Sequence, residues 1–415
     1  MRHLYVSDLD GRTETVVVED HKLVEYYVEP AQKCQLAGSV CLGKVTDVLP
    51  GLQAAFVRIG LEKNAYLSLD DLLPPHPDRQ PKPKPRIEQL VKPGDELIVQ
   101  IVKEPIGTKG AKVTTNLSFP GRWLVYMPDA GYTAVSRKIS SPEEHRRLVD
   151  IGDQIREPDE GLIFRTLADG QSEWAFREDL DRLRRQWRDI RRKSEQAEAP
   201  AWLYRERDAA DRVVRDLFAS AEDRLTVNSK ERAATWREWA KRMQPGMERG
   251  IELVEPGVDL LEMAGLRREL DRLMRPKVWL DCGGYLVVDR TEAMTVVDVN
   301  TGKFTAAADL EHAALAVNLE AAEMIARLMR LRDLGGIILV DFIDMEEESH
   351  RRQVADKLQT ALRRDRTRVH ALGWTRLGLM ELTRKKVRET ATDPARVYCS
   401  ACGGSGLAAT PPIFG

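Results

Sequence analysis

The sequence predicts a multidomain protein of mixed α/β class, and three observations support this prediction. The chain has 415 residues, enough for about two to four domains. Short strand-like runs separated by glycine and proline turns follow one another between about residues 36 and 118. Nearer the carboxyl end, a strand, a long helical pattern and a second apolar strand occur in that order. The run of short strands is typical of a small β-barrel. The order strand, helix, strand is typical of a parallel strand pair in an α/β sheet.

The composition is that of a globular protein. Apolar residues make up 42% of the chain and charged residues 31%, which is ordinary for folded domains. The opening stretch MRHLYVSDLDGR lacks a signal-peptide pattern, and no apolar run approaches the roughly 20 residues needed to cross a bilayer. We therefore expect a cytoplasmic protein with no membrane span. Five cysteines in so long a chain do not form a disulfide framework, and a net charge of −2 neither favours nor excludes nucleic acid as a partner.

The first element is a predicted hairpin without partners nearby in the sequence. The stretch RTETVVVEDHKLVEYYVEP contains two strand-like runs joined by a turn at Asp20 and His21, and it ends at Pro30. An isolated hairpin is only marginally stable, so it requires partners from elsewhere in the chain. Because the barrel-like strands follow immediately, we predict that the first domain is interrupted by an insertion.

The predicted barrel carries aromatic and basic residues that suit RNA. Its strands are VCLGKVTDVLP, QAAFVRIG, NAYLSL, DELIVQIVKE and AKVTTNL. The stretch PPHPDRQPKPKPR, between the third and fourth strands, predicts an exposed basic loop without regular structure. Phe56 and Tyr66 occur among basic residues that include Lys103 and Lys109. Aromatic rings stack on bases and cations neutralise phosphates, whereas the alternative is that both rings belong to the barrel core.

The middle of the chain combines strands with helices. The runs RWLVYMP and GLIFRTL are strand-like. The stretch EDLDRLRRQWRDIRRKSEQAE predicts a helix with an apolar stripe formed by Leu180, Leu183, Trp187 and Ile190. We interpret its arginines as a solvated face, with phosphate binding as the alternative. Helical patterns continue through RDAADRVVRDLFASAEDRL and LLEMAGLRRELDRLM, which are enough to complete the domain of the N-terminal hairpin.

Two aspartates end neighbouring core strands in the predicted carboxyl-terminal unit. The strand in TVVDVNTGKF carries Asp298, and the strand in GGIILVDFIDM carries Asp341. A helix from about Ala307 to Asp333 connects them, and the glycine pair at 335 and 336 ends it. Both aspartates are therefore expected at the carboxyl ends of core strands, where open α/β sheets bind their ligands.

The side chains at these strand ends indicate a metal site. Asp298 and Asn300 are two residues apart and therefore lie on one face of the strand. Asp341 and Asp344 are three apart and point to opposite faces of a continuous strand, so one ion cannot use both unless the strand breaks, and we choose Asp341. Carboxylate and amide oxygens suit Mg²⁺ or Mn²⁺, which orient phosphate and activate water. Strand caps or salt bridges are the alternative role of the two aspartates.

A Cys-x-x-Cys pair, Cys399 and Cys402, lies in the stretch YCSACGGSG. This spacing is typical of half a zinc site, whereas tetrahedral zinc requires four ligands. Cys34, Cys41 and Cys282 show no second pair of this kind. The same pair from another subunit would complete the site and link a homodimer through one structural Zn²⁺. A redox pair and a pair of idle thiols are the alternatives.

Five motifs, taken together and in order, point to one family. They are GKVTDVLPGLQAAFVRIGLEKNAYLSL, GLIFRT, TVVDVNTGKF, NLEAAEMIARLMRLRDLGGIILVDFIDM and CSACGGSG. With them, the chain closely resembles the catalytic region of the ribonuclease E/G family of bacterial endoribonucleases over nearly its whole length. The resemblance implies an RNase H-like domain (1–35 and 208–275), interrupted by an S1 RNA-binding barrel (36–118) and a 5′-sensor region (119–207). A DNase I-like catalytic domain (276–395) and a zinc link (396–415) would follow.

The resemblance also implies roles for individual residues. Asp298 and Asp341 match the magnesium ligands, and Asn300 matches the residue that holds the scissile phosphate or orients Asp298. Phe56 and Lys109 match barrel residues that contact RNA, and Tyr66 stands where a phenylalanine is frequent. The residues that match the pocket for a 5′-monophosphate are Gly121, Val125, Arg165, Thr166 and Arg368. Ser400 stands where the family often has proline, but both zinc ligands are present.

The predicted function is Mg²⁺-dependent hydrolysis of single-stranded RNA by an endoribonuclease. The expected products carry a 5′-phosphate and a 3′-hydroxyl. The resemblance further implies A/U-rich cleavage sites, stimulation by a 5′-monophosphate, and a role in RNA processing and decay. Two other functions stay open. One is an RNA-binding module without catalysis, in which the aspartates cap strands. The other is a structural zinc-linked oligomer whose affinity for RNA is incidental.

Overall fold

The computed structural model describes residues 1–30, 36–105, 109–206, 208–244, 246–291, 293–302 and 310–385. These residues form four β-sheets with helices packed on them. The chain leaves the first sheet after three strands, builds two further sheets, and then returns to complete the first.

The first sheet begins with three antiparallel strands, β1 (Arg2–Leu9), β2 (Arg12–Glu19) and β3 (Lys22–Pro30). Asp20 and His21 join β2 to β3, with φ angles of 48° and 63°. Two successive residues at positive φ form the tight hairpin turn whose twist matches that of its strands. The predicted turn is confirmed.

A closed barrel follows the hairpin. Its strands are β4 (Val40–Leu49), β5 (Ala54–Arg58), β6 (Ala65–Ser68), β7 (Glu96–Lys103) and β8 (Lys112–Thr114). β4 pairs with both β5 and β7, and β8 joins β6 to β7, so the sheet closes on itself. At Gly43, where β4 passes from one partner to the other, a Cβ atom would lie 2.5 Å from the Val57 side chain. The predicted small barrel is confirmed.

The proline-rich stretch between β6 and β7 is more ordered than predicted. The short helices α1 (Leu69–Leu72) and α2 (Ile87–Leu90) flank it, and Pro77–Arg79 forms a single 3-10 turn. The expectation of a wholly irregular loop is wrong at this turn, because the fixed φ of proline suits the first residue of a helical turn. Residues 81–84 are exposed, as expected.

The next region is a four-stranded sheet with two helices. The strands are β9 (Phe119–Pro120), β10 (Leu124–Met127), β11 (Thr133–Val135) and β12 (Gly161–Phe164), in the order β11-β12-β10-β9. The helices are α3 (Pro142–Ile155) and α4 (Glu173–Gln196). The predicted apolar stripe of α4 is confirmed, because Leu180, Leu183 and Ile190 are buried and Trp187 packs against the same core. β13 (Ala201–Tyr204) then pairs with β4 of the barrel.

The chain now returns to the first sheet. The elements of this return are α5 (Ala209–Leu217), β14 (Arg224–Val227), α6 (Lys230–Met243), β15 (Ile251–Leu253), α7 (Leu260–Met263) and α8 (Leu266–Met274). β14 runs parallel to β1, with His3 opposite Arg224, and β15 runs parallel to β14. The partners that the N-terminal hairpin requires therefore come from residues beyond the barrel.

The last sheet contains the strands that end in aspartate. Its strands are β16 (Lys277–Trp279), β17 (Tyr285–Arg290), β18 (Met294–Asn300), β19 (Gly336–Asp341), β20 (Val369–Trp374) and β21 (Met380–Arg384). Their order is β16-β17-β18-β19-β21-β20, and β18 and β19 run parallel. The helices α9 (Leu310–Leu331) and α10 (Glu348–Leu362) share a buried core with this sheet. The predicted strand, crossover helix and strand are confirmed.

Helix α9 lies between the first and last sheets, since its buried residues share one core with Val16 and Leu23 of the hairpin. Its end differs from the prediction, which assigned the stop to the glycine pair. Asp333 takes a φ of 48°, and the Leu334 amide donates to the Met329 carbonyl at 3.0 Å. The left-handed residue of the helix end is thus an aspartate, and a 2.6 Å ion pair with Arg384 holds its side chain.

Candidate functional site

Asp298 and Asp341 lie side by side at the carboxyl ends of β18 and β19, as opposite partners in the parallel register. Their neighbours along the strands, Val297, Val299 and Val340, are buried in the core that contains α9. Side chains alternate along a strand, so both carboxylates project from the opposite face of the sheet, where both are exposed. The fold therefore brings together the two aspartates chosen from the sequence.

Asn300 holds the Asp298 side chain. Its Nδ2 donates a hydrogen bond of 2.8 Å to Asp298 Oδ2. This bond restricts the Asp298 carboxylate and leaves its other oxygen for a ligand. Of the two roles that the resemblance implies for Asn300, orientation of Asp298 has a direct contact in the structure.

The end of this strand pair concentrates negative charge. Partial burial, together with the carboxylates of Asp298 and Asp344, raises the pKa of Asp341. A cation between the carboxylates would relieve that repulsion. Within the described ranges, no group of three or more His, Cys, Asp and Glu side chains is arranged to hold a metal. The residues present fit an ion such as Mg²⁺, which binds one or two carboxylates and keeps water or phosphate oxygens as its other ligands.

A cleft of about 1380 Å³ contains three of the five residues expected to bind a 5′-phosphate. Arg165, Thr166 and Arg368 line it, whereas Gly121 and Val125 are not among its described lining residues. The Gly121 carbonyl accepts a hydrogen bond of 2.6 Å from Arg165 Nη1. Val125 lies on β10, where it pairs with Ile163 and Pro120. Gly121 therefore contacts the arginine of the cleft, and Val125 belongs to the sheet beneath it.

Arg165 is held in place by an acidic partner. Its Nη1 lies 2.8 Å from Asp216 Oδ1, and Asp216 Oδ2 lies 3.4 Å from Arg366. Burial alone would raise the pKa of Asp216, but Arg215 and Arg165 lower it, so the carboxylate stays charged. The Gly121 carbonyl and the Asp216 carboxylate thus fix the orientation of the Arg165 guanidinium.

Thr166 and Arg368, the other two expected phosphate-binding residues that line the cleft, also have side-chain partners. Thr166 Oγ1 lies 2.9 Å from Ser136 Oγ, and Arg368 Nε donates to His370 Nε2 at 2.8 Å. An arginine fork with hydroxyl groups nearby is chemically suited to a terminal phosphate.

Buried charges connect the cleft to helix α9. Arg366 contacts Glu25 of β3 at 2.7 Å, and Glu25 contacts Arg330 of α9 at 2.9 Å. Burial opposes ionisation of Glu25, but Arg366 and Arg330 outweigh it and lower the pKa of this group to about 2. The two arginines and the glutamate thus link the first sheet, helix α9 and the loop before β20.

The barrel presents its predicted aromatic pair outward. Phe56 and Tyr66 are opposite partners on β5 and β6, with ring centroids 6.3 Å apart and an interplanar angle of 70°. Both are only partly buried, whereas the residues that alternate with them, such as Val57 and Leu67, are fully buried. The core alternative is therefore wrong for these two rings. Lys103 and Lys109 are exposed.

Comparison with known proteins gives the family of this chain. The model of the ribonuclease E/G family matches residues 118–387. Ribonuclease G of Escherichia coli strain K12 is 38% identical over 414 residues, which cover 98% of this chain and 84% of that protein. The chain belongs to the ribonuclease E/G family. Ribonuclease G of Haemophilus influenzae is 36% identical over 413 residues, covering 98% of this chain and 84% of the relative. Ribonuclease E of a Nostoc species is 36% identical over 404 residues, covering 95% and 58%.

Membership of the ribonuclease E/G family confirms the resemblance seen in the motifs, and with it the assignment to a family of ribonucleases. The predicted zinc ligands Cys399 and Cys402 lie outside the described residues. Among the described residues, no helix combines the length and apolarity needed to span a membrane.

Sequence reasoning missed several residues of this ribonuclease-family site. Asp216, Arg366 and Glu25 form ion pairs at the cleft that contains Arg165, yet they come from a helix, a loop and a strand far apart in the chain. No spacing motif connects them, and charged residues at such positions resemble ordinary surface residues. Lys112 lies opposite Tyr66 on β8, and its ammonium forms a 2.8 Å ion pair with Asp71.

Proposed function

We propose that this chain is an endoribonuclease that hydrolyses single-stranded RNA with Mg²⁺ bound at Asp298 and Asp341. The single observation that carries the proposal is the pairing of these two exposed carboxylates at the ends of parallel strands. The names of the relatives, ribonuclease G and ribonuclease E, support the same reaction class. We further propose that the protein acts in the cytoplasm in RNA processing and decay, on A/U-rich sites.

The chain's own residues would position the reacting groups. Asp298 and Asp341 would hold the metal, which supplies an activated water and stabilises charge on the phosphate when bound. Asn300 would keep Asp298 in its binding orientation through the 2.8 Å hydrogen bond. In-line attack on phosphorus breaks the bond to the 3′-oxygen, which leaves a 5′-phosphate on one fragment and a 3′-hydroxyl on the other. Asp298 and Asp341 are both exposed, which would give the RNA strand direct access to this centre.

The cleft would favour substrates that begin with a 5′-monophosphate. Arg165 and Thr166 are its proposed contacts, with Arg368 beside them. Gly121 and Val125 would act from the adjoining sheet, Gly121 through its hydrogen bond to Arg165. We infer that this region is a 5′ sensor, that the barrel is an S1 domain, and that the first and last sheets belong to RNase H-like and DNase I-like domains.

The barrel would grip the RNA strand. Phe56 and Tyr66 would stack on bases, each stack contributing about 1–3 kcal/mol, while Lys103 and Lys109 would neutralise phosphates. Cys399 and Cys402 would share one structural Zn²⁺ with the same pair of a second subunit, which would make the protein a homodimer.

The deciding experiment uses a 5′-labelled single-stranded RNA, incubated with Mg²⁺ or with EDTA. We expect internal cuts only with Mg²⁺, and fragment analysis should find a 5′-phosphate and a 3′-hydroxyl at each cut. Retention of RNA without cleavage would favour a binding module and contradict the nuclease. Cuts that persist in EDTA, or fragments with 2′,3′-cyclic phosphate ends, would contradict the metal-dependent hydrolysis.

A further inference from the structure

An aromatic and basic cluster occupies the edge of the last sheet. Trp279 of β16 and Tyr285 of β17 are opposite partners, with ring centroids 5.2 Å apart and an interplanar angle of 58°. The Lys277 ammonium lies 3.5 Å from the centroid of the Tyr285 ring and 4.6 Å from that of Trp279. We call Lys277, Trp279 and Tyr285 the aromatic platform.

The aromatic platform shares a sheet face with the aspartates. Tyr285 is opposite Asn300, and Val287 is opposite both Lys277 and Asp298. Side chains at opposite positions of neighbouring strands project from the same face. Because adjacent strands are about 4.8 Å apart, the backbone of Trp279 lies roughly 10 Å from that of Asn300. An RNA strand held at the aspartates is therefore within reach of the platform.

Packing among the described residues leaves much of the Trp279 side chain exposed. Its neighbour Val278 is 1% exposed and belongs to the core, whereas Trp279 is 45% exposed on the outer face. A large exposed ring beside another aromatic ring and a cation is the combination that binds single-stranded nucleic acid without sequence preference, by stacking and phosphate neutralisation. Lys277 also places positive charge on the face of Asp298, two strands away and separated from it by Val287.

We propose that the aromatic platform stacks on a base of the substrate next to the scissile phosphate, an inference that rests on the endoribonuclease function proposed above. The base would lie against the Trp279 and Tyr285 rings, and the flexible Lys277 side chain would move from the rings to a neighbouring phosphate. The aromatic platform would thereby bind the RNA on the side of Asp298 and Asp341 that is nearer β16. This contact would add to the RNA binding proposed for the barrel. Trp279 would act as a positioning residue, not a catalytic one.

The first test measures affinity for single-stranded RNA in a background that does not cleave, Asp341→Asn. Adding Trp279→Ala should weaken binding about tenfold, within the range of one lost base stack. Trp279→Phe should restore most of the affinity, since a phenyl ring still stacks. Trp174 is the matched control, because it is also a solvent-exposed tryptophan, 62% exposed on α4. Trp174→Ala should leave affinity unchanged.

The second test locates the contact. RNA carrying a single 4-thiouridine, moved in turn through the positions around a cleavage site, should photo-crosslink to the peptide that spans residues 277–290 from one or two adjacent positions. An abasic nucleotide at that position should weaken wild-type binding about tenfold and should add little to the Trp279→Ala loss.

The outcomes separate this proposal from the function on which it rests. A wild-type protein without Mg²⁺-dependent cleavage would overturn the nuclease, while the affinity and crosslinking results would still decide whether RNA lies on the platform. Two results would overturn the platform and leave the nuclease standing, provided that wild type cleaves RNA normally. One is an RNA affinity that Trp279→Ala does not change, and the other is the absence of a crosslink to residues 277–290. Either result would also leave a protein partner as the explanation of the exposed rings.

Discussion

Asp298 and Asp341 stand opposite each other in the only parallel strand pair of the last sheet, within the residues that the structure describes. Backbone hydrogen bonds set this register, so it does not depend on the charge of either side chain. Substitutions that neutralise one carboxylate and keep its shape therefore test metal binding and leave the fold intact.

Asp298→Asn or Asp341→Asn should lower the cleavage rate at least about a hundredfold, because each removes one anionic ligand of the proposed ion. RNA affinity should change little, since the barrel is untouched. Asp271→Asn changes an exposed carboxylate on α8 and is the matched control, which should retain the activity. Single-turnover cleavage and filter binding measure the two quantities. Activity within about tenfold of wild type in both Asn variants would remove the metal hypothesis.

Arg165→Ala should erase the advantage of a 5′-monophosphorylated RNA over the same RNA with a 5′-hydroxyl. Cleavage of the 5′-hydroxyl substrate should stay near the wild-type rate, because the cleft makes no other contact with the reacting phosphate in our proposal. Arg165→Lys should recover part of the preference, since it keeps the charge and loses the planar fork. The measurement is the ratio of kcat/KM for the two RNAs. Equal losses on both substrates would argue against a phosphate pocket.

Lys109→Ala should lower the slope of log affinity against log salt concentration by about 0.7, as expected for one lost phosphate contact to a single strand. Lys241→Ala changes an exposed lysine on α6 in the same way and should leave the slope as it is. Binding titrations from low to moderate salt give both slopes. If the two variants behave alike, Lys109 is not on the RNA path.

Glu25 should make the free energy of unfolding depend on pH in the acid range. The folded protein holds the pKa of Glu25 near 2, against 4.5 for the unconstrained group. Its contribution of about 3 kcal/mol is therefore complete above pH 4.5 and declines as the pH falls from about 4.5 towards 2. Glu25→Gln should be less stable than wild type at pH 7, since Arg366 and Arg330 lose their buried partner.

Urea denaturation of wild type and Glu25→Gln at pH 7 and pH 3.5 measures this difference. The gap in unfolding free energy between the two proteins should narrow at the lower pH. At pH 3.5 Glu25 is largely protonated in unfolded wild type, so folding must ionise it, whereas Glu25→Gln has no such group to titrate. A gap of the same size at both pH values would show that Glu25 does not act through its charge.

Cys399→Ser should convert the proposed dimer to a monomer and abolish zinc binding, because the shared site loses one ligand from each subunit. Light scattering gives the mass, and a colorimetric chelator assay gives the zinc content. Cys282→Ser alters a partly exposed thiol and should change neither. A dimer that persists after loss of zinc would refute the zinc link.

The sequence predicted those parts of the site that depend on local periodicity. Strand alternation placed Asp298 with Asn300, and the register pairs Asp298 with Asp341. The choice of Asp341 over Asp344 stays a prediction, because β19 ends at Asp341 and alternation does not extend to Asp344. Alternation along β5 and β6 likewise placed Phe56 and Tyr66 on one surface.

The sequence did not predict features that arise when distant segments meet. Arg165, Asp216 and Arg366 come from three different regions, and their ion pairs depend on how those regions pack. The identity of the left-handed residue after α9 was missed for a related reason. The sequence pointed to the glycine pair, whereas Asp333 takes this position and the remote Arg384 holds its side chain.

The return of the chain to its first sheet has a consequence for biosynthesis. The Arg2 amide donates to the Asp223 carboxylate, a contact between residues 221 positions apart, and β1 has β14 as its parallel neighbour. At translation rates of about 5–20 residues per second, the nascent N-terminal hairpin spends roughly ten seconds or more with one edge unpaired. The barrel can mature during that interval. A ribosome that stalls before Val227 would release a chain whose first strands have an open, aggregation-prone edge, so co-translational chaperones are expected to act on this part of the molecule.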